Sequence, residues 1–568
     1  MRGLLALALC TGLQAADADL ILHNGKIVTV DARFSIREAV AVKDGKIAAV
    51  GTSREILNAE RGAGTQVIDL QGKTVLPGLI DSHVHALSAG LSEFRQPLAP
   101  LGSFAQVQAF IRAQAAKTPK GQWIVVPRTF PTRLAEMRMP TREVLDVATE
   151  HPVLFDASYS VVVNSFALKM SGIGRETPDP PGGVIVRDSK GEPNGILKNA
   201  QRLLKGERRS GGAQFSDEER LQALEAQLKR YVDAGLTSIS DRAVTAADIA
   251  LYRKLKAAGR LPIRSVLTWR LDASQPLEAL QKQIREAGFH TGTGDEWLNF
   301  GAFKVTLDGG MTIGTAFQRH PYGEFGRVLY GQTDPDDRGQ LFIPLAKLNG
   351  ILGTAREEGW QLTAHSQGGG AIDALLTAFE ALNREKPIAP TRSHLMHASF
   401  QSPEALAKAK ALGVHADVQP AWLYFDADAL EKVFTTAGMR YFFPLRSYRE
   451  KGIIIAGGSD HMIGFDKDKA VNPYNPFMGM WTAVTRKTVR GRVIHGEERI
   501  GREDALRMYT VWGAYLQHAD DVRGSIEKGR LADLVVIDRD YMTCPEDQIK
   551  DIQPVTVILD GKIVKQRR

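Results

Sequence analysis

The sequence predicts an α/β chain built on an eight-stranded parallel (β/α)8 TIM barrel, with a discontinuous small β-sandwich domain from both chain ends and an inserted subdomain after the first barrel strand. Three observations carry that prediction. Apolar strand-like runs alternate with amphipathic stretches through the middle of the chain, β-rich runs with Asn-Gly or Asp-Gly turns sit near both ends, and 568 residues exceed what one barrel needs.

Met1 to Ala18 reads as a secretory signal peptide, with Arg2, an apolar run from Leu4 to Leu9, and small residues at Ala15, Ala16 and Ala18. A frayed cytoplasmic N-terminus is the alternative, because the apolar run is short and preceded by one charge. The first reading places the mature protein in the periplasm or outside the cell. Elsewhere no apolar run approaches about 18 residues, so no transmembrane helix is expected. Asn24-Gly25 and Asp44-Gly45 then signal hairpins of a small antiparallel sheet, and Val555 to Leu559 with Asp560-Gly561 repeats that style at the other end. The expected boundaries are residues 19–75 and 521–568 for the sandwich, 76–87 and 216–520 for the barrel, and 88–215 for the insert.

Eight strand centres are expected in the middle: Ile80–His83, Thr237–Ser240, Arg264–Leu267, Gly301–Val305, Gln361–His365, Ser393–His397, Val414–Val418 and Ile453–Gly457. Pro152 to Phe155 is a further strand within the insert, which would lie beside the C-terminal mouth of the barrel. A net charge of +7 is small for this length, and no dense Lys/Arg block with interleaved aromatics occurs, so nucleic-acid binding is not expected. With Cys10 in the leader, Cys544 is the sole thiol of a mature chain, which excludes an intrachain disulfide framework.

Chemistry concentrates at the strand ends. In Asp81-Ser82-His83-Val84-His85, positions i and i+2 of a strand share a face, so His83 and His85 can point together into the barrel and bind one ion. Two hydrogen-bonded structural histidines would read the same way. Lys304, His365 and His397 end the fourth, fifth and sixth expected strands, and Asp460 follows the eighth. Each alone has an ordinary reading as a snorkelling lysine, a helix cap or a turn residue. Together they form a ring on the face where barrel enzymes do chemistry.

Three stretches then carry a resemblance: Leu76 to His85, the closing Gly524 to Val536, and the split sheet. They resemble the amidohydrolase superfamily of metal-dependent hydrolases. Trp123 to Val126, Asn164 to Leu168, Pro178 to Gly183, and Lys304 followed by Asp308-Gly309-Gly310 resemble its YtcJ-like branch, which includes N-substituted formamide deformylase. The resemblance implies that His83, His85 and Asp460 hold one divalent ion and His365 and His397 a second. Lys304, if carboxylated to N6-carboxylysine, would bridge the two; otherwise a single ion is implied. Zinc leads among the candidates, with manganese, iron and nickel also suited to the set. The implied reaction is hydrolysis of an amide, N-acyl or N-formyl bond by metal-activated hydroxide, with Asp460 as proton shuttle. Other reactions known on this fold stay open, namely lactone, carbamate or phosphoester hydrolysis, deamination or isomerisation, as does a non-catalytic binding barrel.

The chain departs from relatives in two places. His365-Ser366-Gln367-Gly368-Gly369 lacks the acidic residue that relatives carry at the last position, and Asp156 to Ser160 lacks a histidine. The first departure removes an expected orienting group for His365. Trp269, Arg270, His320, Tyr322 and Trp422 are candidates for the substrate pocket, and His461 for a substrate contact. Expected partners are a small-molecule substrate and, as an open assembly, a second copy in a homodimer.

Overall fold

The computed structural model describes residues 17–206 and 215–566. The leader expected over Met1 to Ala18 thus lies outside the described residues, apart from its last two positions.

Eight parallel strands form one sheet, each paired with its neighbour in the chain: β1 (Leu79–Val84), β2 (Leu236–Val244), β3 (Arg264–Arg270), β4 (Leu298–Thr306), β5 (Gln361–Ser366), β6 (His394–His397), β7 (His415–Val418) and β8 (Ile455–Gly457). Every expected strand centre overlaps one of them. All six residues of β1 are buried, as a parallel strand requires when helices cover one face and barrel side chains the other. The helix Asp217–Asp233 shows how a covering helix is encoded. Ser216 and Glu219 close a capping box at its start, and Leu221, Leu224, Leu228, Tyr231 and Val232 form the buried stripe. Gly235, at φ 91°, then turns the chain into β2.

The barrel is nearly closed. Between β8 and β1 no regular ladder forms; instead His85 N–H donates to His461 O at 2.9 Å and Asp460 N–H to His83 O at 2.7 Å. The bonds that complete the barrel therefore join the His83–His85 segment to Asp460. Gly458 lets the two segments approach, since a Cβ there would lie 2.7 Å from the backbone nitrogen of His83.

A six-stranded sheet takes Lys26–Val28, Ile36–Arg37 and Thr74–Pro77 from one end of the chain and Leu534–Ile537, Pro554–Leu559 and Lys562–Gln566 from the other. It shares an apolar core, including Leu20, Leu22, Val40, Val42, Val75 and Leu534, with a four-stranded sheet of Leu20–His23, Ala39–Lys43, Lys46–Gly51 and Gln66–Asp69. Asp44-Gly45 and Asp560-Gly561 turn hairpins as expected, but Asn24-Gly25 does not. The strands flanking it enter different sheets and each pairs parallel, with Gln66–Asp69 and Thr74–Pro77. Asn24, at φ 55°, donates its side-chain amide to Asp69, so the turn crosses between sheets and both sheets are mixed rather than antiparallel.

Between β1 and β2 lies a five-stranded sheet of Ile124–Val126, Val153–Ala157, Ser160–Val163, Val184–Arg187 and Pro193–Lys198. The segment after its first strand reaches the C-terminal side of the barrel: the Phe130 ring lies 5.5 Å from that of Trp422, and Thr132 and Arg133 hydrogen-bond Asp426. No helix among the described residues is long and apolar enough to cross a membrane.

Candidate metal centre

Four imidazoles and one carboxylate converge at the C-terminal strand ends. Ligand atoms of His83, His85 and Asp460 all lie within 4.8 Å of one another. Asp460 Oδ1 is 3.4 Å from His83 Nε2 and 3.2 Å from His85 Nε2. Ring centroids of His83 and His397 are 4.9 Å apart, and those of His397 and His365 are 4.4 Å apart. Both His397, at φ 66°, and Asp460, at φ 55°, occupy the left-handed region, a strain of roughly 1–3 kcal/mol each that persists at functional sites.

Three of the four histidines are oriented from behind through Nδ1. Asp417 Oδ2 accepts from His83 at 3.0 Å, Asp308 Oδ1 from His365 at 2.8 Å, and Gln419 Oε1 from His397 at 2.8 Å. An ionised carboxylate can only accept, so Asp417 and Asp308 put the proton on Nδ1 of His83 and His365 and leave the Nε2 lone pair for a ligand, and the Gln419 amide oxygen acts in the same way on His397. None of the three was assigned a role from sequence. The doubt over His365 is resolved by Asp308, which also accepts from the backbone N–H groups of Gln367 and Gly368 and so stands in for the acid missing at Gly369. The available signal was an acidic residue inside the short strand β7 and another beginning Asp308-Gly309-Gly310.

The donor set fits a divalent ion. His83 Nε2 is buried with no hydrogen-bond partner, an orphaned lone pair that a cation would satisfy. Burial pushes the His365 and His397 imidazoles down to about 3 and His83 well below its usual range, so all three present neutral nitrogens. Burial alone would raise the Asp460 carboxyl, but the hydrogen bond from His85 and the nearby charge of Lys304 hold it below the usual range. Lys304 is buried, donates Nζ–H to Arg242 O at 3.0 Å, and is pushed down to about 8 by desolvation, with Asp460 opposing. An ammonium has no lone pair, so in this form Lys304 is a charge beside the centre rather than a ligand.

The remaining candidates separate by packing. Trp422 is buried and donates its indole N–H to Asp460 Oδ2 at 3.1 Å. Trp269 packs outward among Phe289, Phe303 and Trp360 in the layer between barrel and helices. Tyr322 joins a separate cluster with Tyr330, Leu329 and Val433, its hydroxyl bound to Ala316 O. His461 is buried between Tyr231 Oη and Gly464 O, at 2.9 and 2.7 Å, and anchors the turn after Asp460. His320 is exposed, and Arg270 is exposed at the end of β3. Tyr159, from the stretch that lacks a histidine, sets its ring edge-on to His365 at 5.4 Å.

Trp422→Phe keeps the contacts of the ring with Phe130 and the Arg133 guanidinium but deletes the N–H that holds Asp460. A hydrogen bond to a charged group contributes about 1.5–3 kcal/mol, so the variant is expected to lose stability of that order and, with Asp460 Oδ2 released, to lose about 10- to 100-fold in kcat. Steady-state kinetics and a denaturation curve check this; an unchanged kcat would detach the indole from the centre.

Comparison with known proteins places this geometry. The model of the Amidohydrolase family matches residues 66–565. N-substituted formamide deformylase of Arthrobacter pascens is 31% identical over 564 residues, covering 97% of this chain and 98% of the relative. The protein YtcJ of Bacillus subtilis (strain 168) is 27% identical over 559 residues, covering 96% and 99%. Among solved structures, a metal-dependent hydrolase from Pyrococcus horikoshii OT3 aligns with TM-score 0.67 at 21% identity, covering 93% of this chain and 99% of that one. With a family match that begins before the first barrel strand and runs past the last, and a full-length relative at 31% identity, the chain belongs to the amidohydrolase family.

Proposed function

We propose that this metal-dependent hydrolase cleaves a carbon–nitrogen bond other than a peptide bond, an amide, N-acyl or N-formyl bond of a small molecule, and that Asp460 moves the protons. The observation that supports the reading most is the convergence of His83, His85 and Asp460 within 4.8 Å around an orphaned buried nitrogen, next to His365 and His397. The full-length likeness to a formamide deformylase supports the bond type.

His83, His85 and Asp460 would hold a divalent ion, with His365 and His397 available for a second, and such an ion would supply Lewis acidity for polarising a carbonyl and for lowering the pKa of water from about 15.7 towards about 7. Asp417, Asp308 and Gln419 keep the imidazole nitrogens aimed, and Trp422 keeps Asp460 Oδ2 engaged so that Oδ1 faces His83 and His85. Asp460 would accept a proton from the attacking water and pass it to the leaving nitrogen, two tasks that one carboxylate can perform in turn. We propose zinc as the ion, from the imidazole and carboxylate donors. A carbamate on Lys304 would give that residue two anionic oxygens and make a two-ion site. Export through a cleaved leader, from Arg2 and the apolar run after it, completes the reading.

The test is metal analysis followed by assay. Protein purified without chelator is expected to carry one or two equivalents of a transition metal, to lose melting temperature on chelation, and to hydrolyse members of an N-formyl and N-acyl amide panel. Less than about a tenth of an equivalent, with added zinc or manganese neither binding nor raising the melting temperature, would sink the proposal.

A further inference from the structure

We infer that a small inorganic anion, with the size and charge of chloride, binds on the guanidinium of Arg523 at the end of the barrel remote from the metal centre. Arg523 is 3% exposed, and its Nη1 makes one long hydrogen bond, to Glu296 O at 3.4 Å. Nε and Nη2 are buried and, among the described residues, have no hydrogen-bond partner. Those two nitrogens share one edge of the guanidinium, where two parallel N–H groups form the fork with which arginine grips an anion. A buried cation without a counter-charge is strongly destabilising, and an anion seated on the fork would offset that cost.

The carboxylates fixed nearby are engaged elsewhere. Arg264, at the start of β3, is buried and reaches the same Glu296 O at 3.5 Å, so two guanidinium groups converge on one carbonyl just before β4. Arg264 takes both oxygens of Asp533, at 2.7 and 3.1 Å, and Asp533 Oδ1 also accepts the backbone N–H of Asp560. Asp560 Oδ1 turns to Arg264 at 3.3 Å, and Asp520 pairs with Arg392 at 2.5 Å. Glu296 and Asp521 are exposed and act on Arg523 only through space. Arg530 brings a third guanidinium, which donates to Arg523 O at 3.0 Å. Desolvation and Arg264 push Arg523 down to about 10, so it stays a cation at neutral pH. Its backbone is held in place, because Arg523 N–H donates to Ala519 O at 2.9 Å and Gly524, at φ 99°, passes so near the Val511 backbone that a Cβ would lie 3.0 Å from it. Enclosure of both free nitrogens limits the ligand to about one atom, which selects a halide over a phosphate or a larger carboxylate.

Bromide is the probe, and the test does not depend on the amide-hydrolase reading. Crystals of the full-length metal-loaded protein grown in bromide are expected to show an anomalous peak within hydrogen-bond reach of Arg523 Nε and Nη2. In solution, chloride in place of gluconate at equal ionic strength is expected to raise the melting temperature by about 1–3 °C once it exceeds its dissociation constant about tenfold. Arg523→Met is expected to abolish that difference, and Arg523→Lys, which lacks the fork, to weaken halide binding about tenfold. Comparing variant with wild type cancels the general effect of salts on burial. If Arg523→Met does not fold, the bromide map and the wild-type titration decide. Water, or the carboxylate of Glu296 or Asp521, on the fork in the bromide map overturns the inference. So does a chloride effect that persists in Arg523→Met. A bromide peak in a protein whose melting temperature does not distinguish chloride from gluconate would be an adventitious ion only, and overturns it too.

Discussion

Asp460→Asn is expected to lower kcat by about a hundredfold to ten-thousandfold, the range lost when a positioned acid–base group is removed. The substitution is unusually clean at this position. Asp460 sits at φ 55°, and asparagine tolerates the left-handed region better than other residues, so the turn after β8 should hold. The side-chain oxygen of asparagine can still accept from Trp422, while the amide cannot take up a proton at neutral pH. Because Asp460 also faces His83 and His85, the variant must be assayed with its metal content measured. A variant that keeps about its wild-type metal and loses turnover assigns the loss to proton transfer. Full turnover would refute the role of Asp460, and loss of metal with loss of turnover would make it a ligand first.

Much of this arrangement was legible because the chemistry sits at the ends of long-recognised patterns. The eight apolar runs stand out, and a histidine, lysine or aspartate closing such a run has few purely structural uses when several do so at once. The orienting groups were not legible. Asp417 lies 334 positions from the histidine it holds, and Asp308 lies 57 positions from His365. No local spacing links such pairs; only closure of the barrel brings them together. Trp269 and Tyr322 fell near strand ends in sequence, yet aromatic packing turns one outward and buries the other in a cluster of its own. Asn24-Gly25 misread for a related reason: turn chemistry fixes the local backbone, whereas the sheet each flanking strand joins depends on partners such as Gln66–Asp69 and Thr74–Pro77.

Asp417→Ala is expected to destabilise the protein by about 3–5 kcal/mol, and the neighbours of Asp417 explain why. Its carboxylate accepts from Ser82 Oγ at 2.6 Å, His83 Nδ1 at 3.0 Å and Gln419 Nε2 at 3.1 Å, and it lies 3.5 Å from Arg242 Nε. Arg242 is itself buried, donating to Ser82 O and Thr268, so removing Asp417 strands a guanidinium in the barrel without its nearest anion. Burial pushes the Asp417 carboxyl up to about 6 even with Arg242 holding it down, and a buried pair of this kind repays little more than its own desolvation. The expected loss is therefore the penalty of leaving Arg242 and three hydrogen-bonding groups unsatisfied, rather than the worth of an ion pair. Asp417→Asn separates the two effects. It keeps the volume and can still accept from Ser82, but it too leaves Arg242 without its anion, so stability should fall by about 3 kcal/mol, the lower end of the range for Asp417→Ala. It can no longer hold His83 as a carboxylate does, and metal affinity should drop about 10- to 100-fold. Denaturant titration and metal-competition assays on both variants check this. Equal metal affinity in Asp417→Asn and wild type would mean that His83 is oriented by the barrel backbone alone, and a mild Asp417→Ala would mean that Arg242 finds another anion.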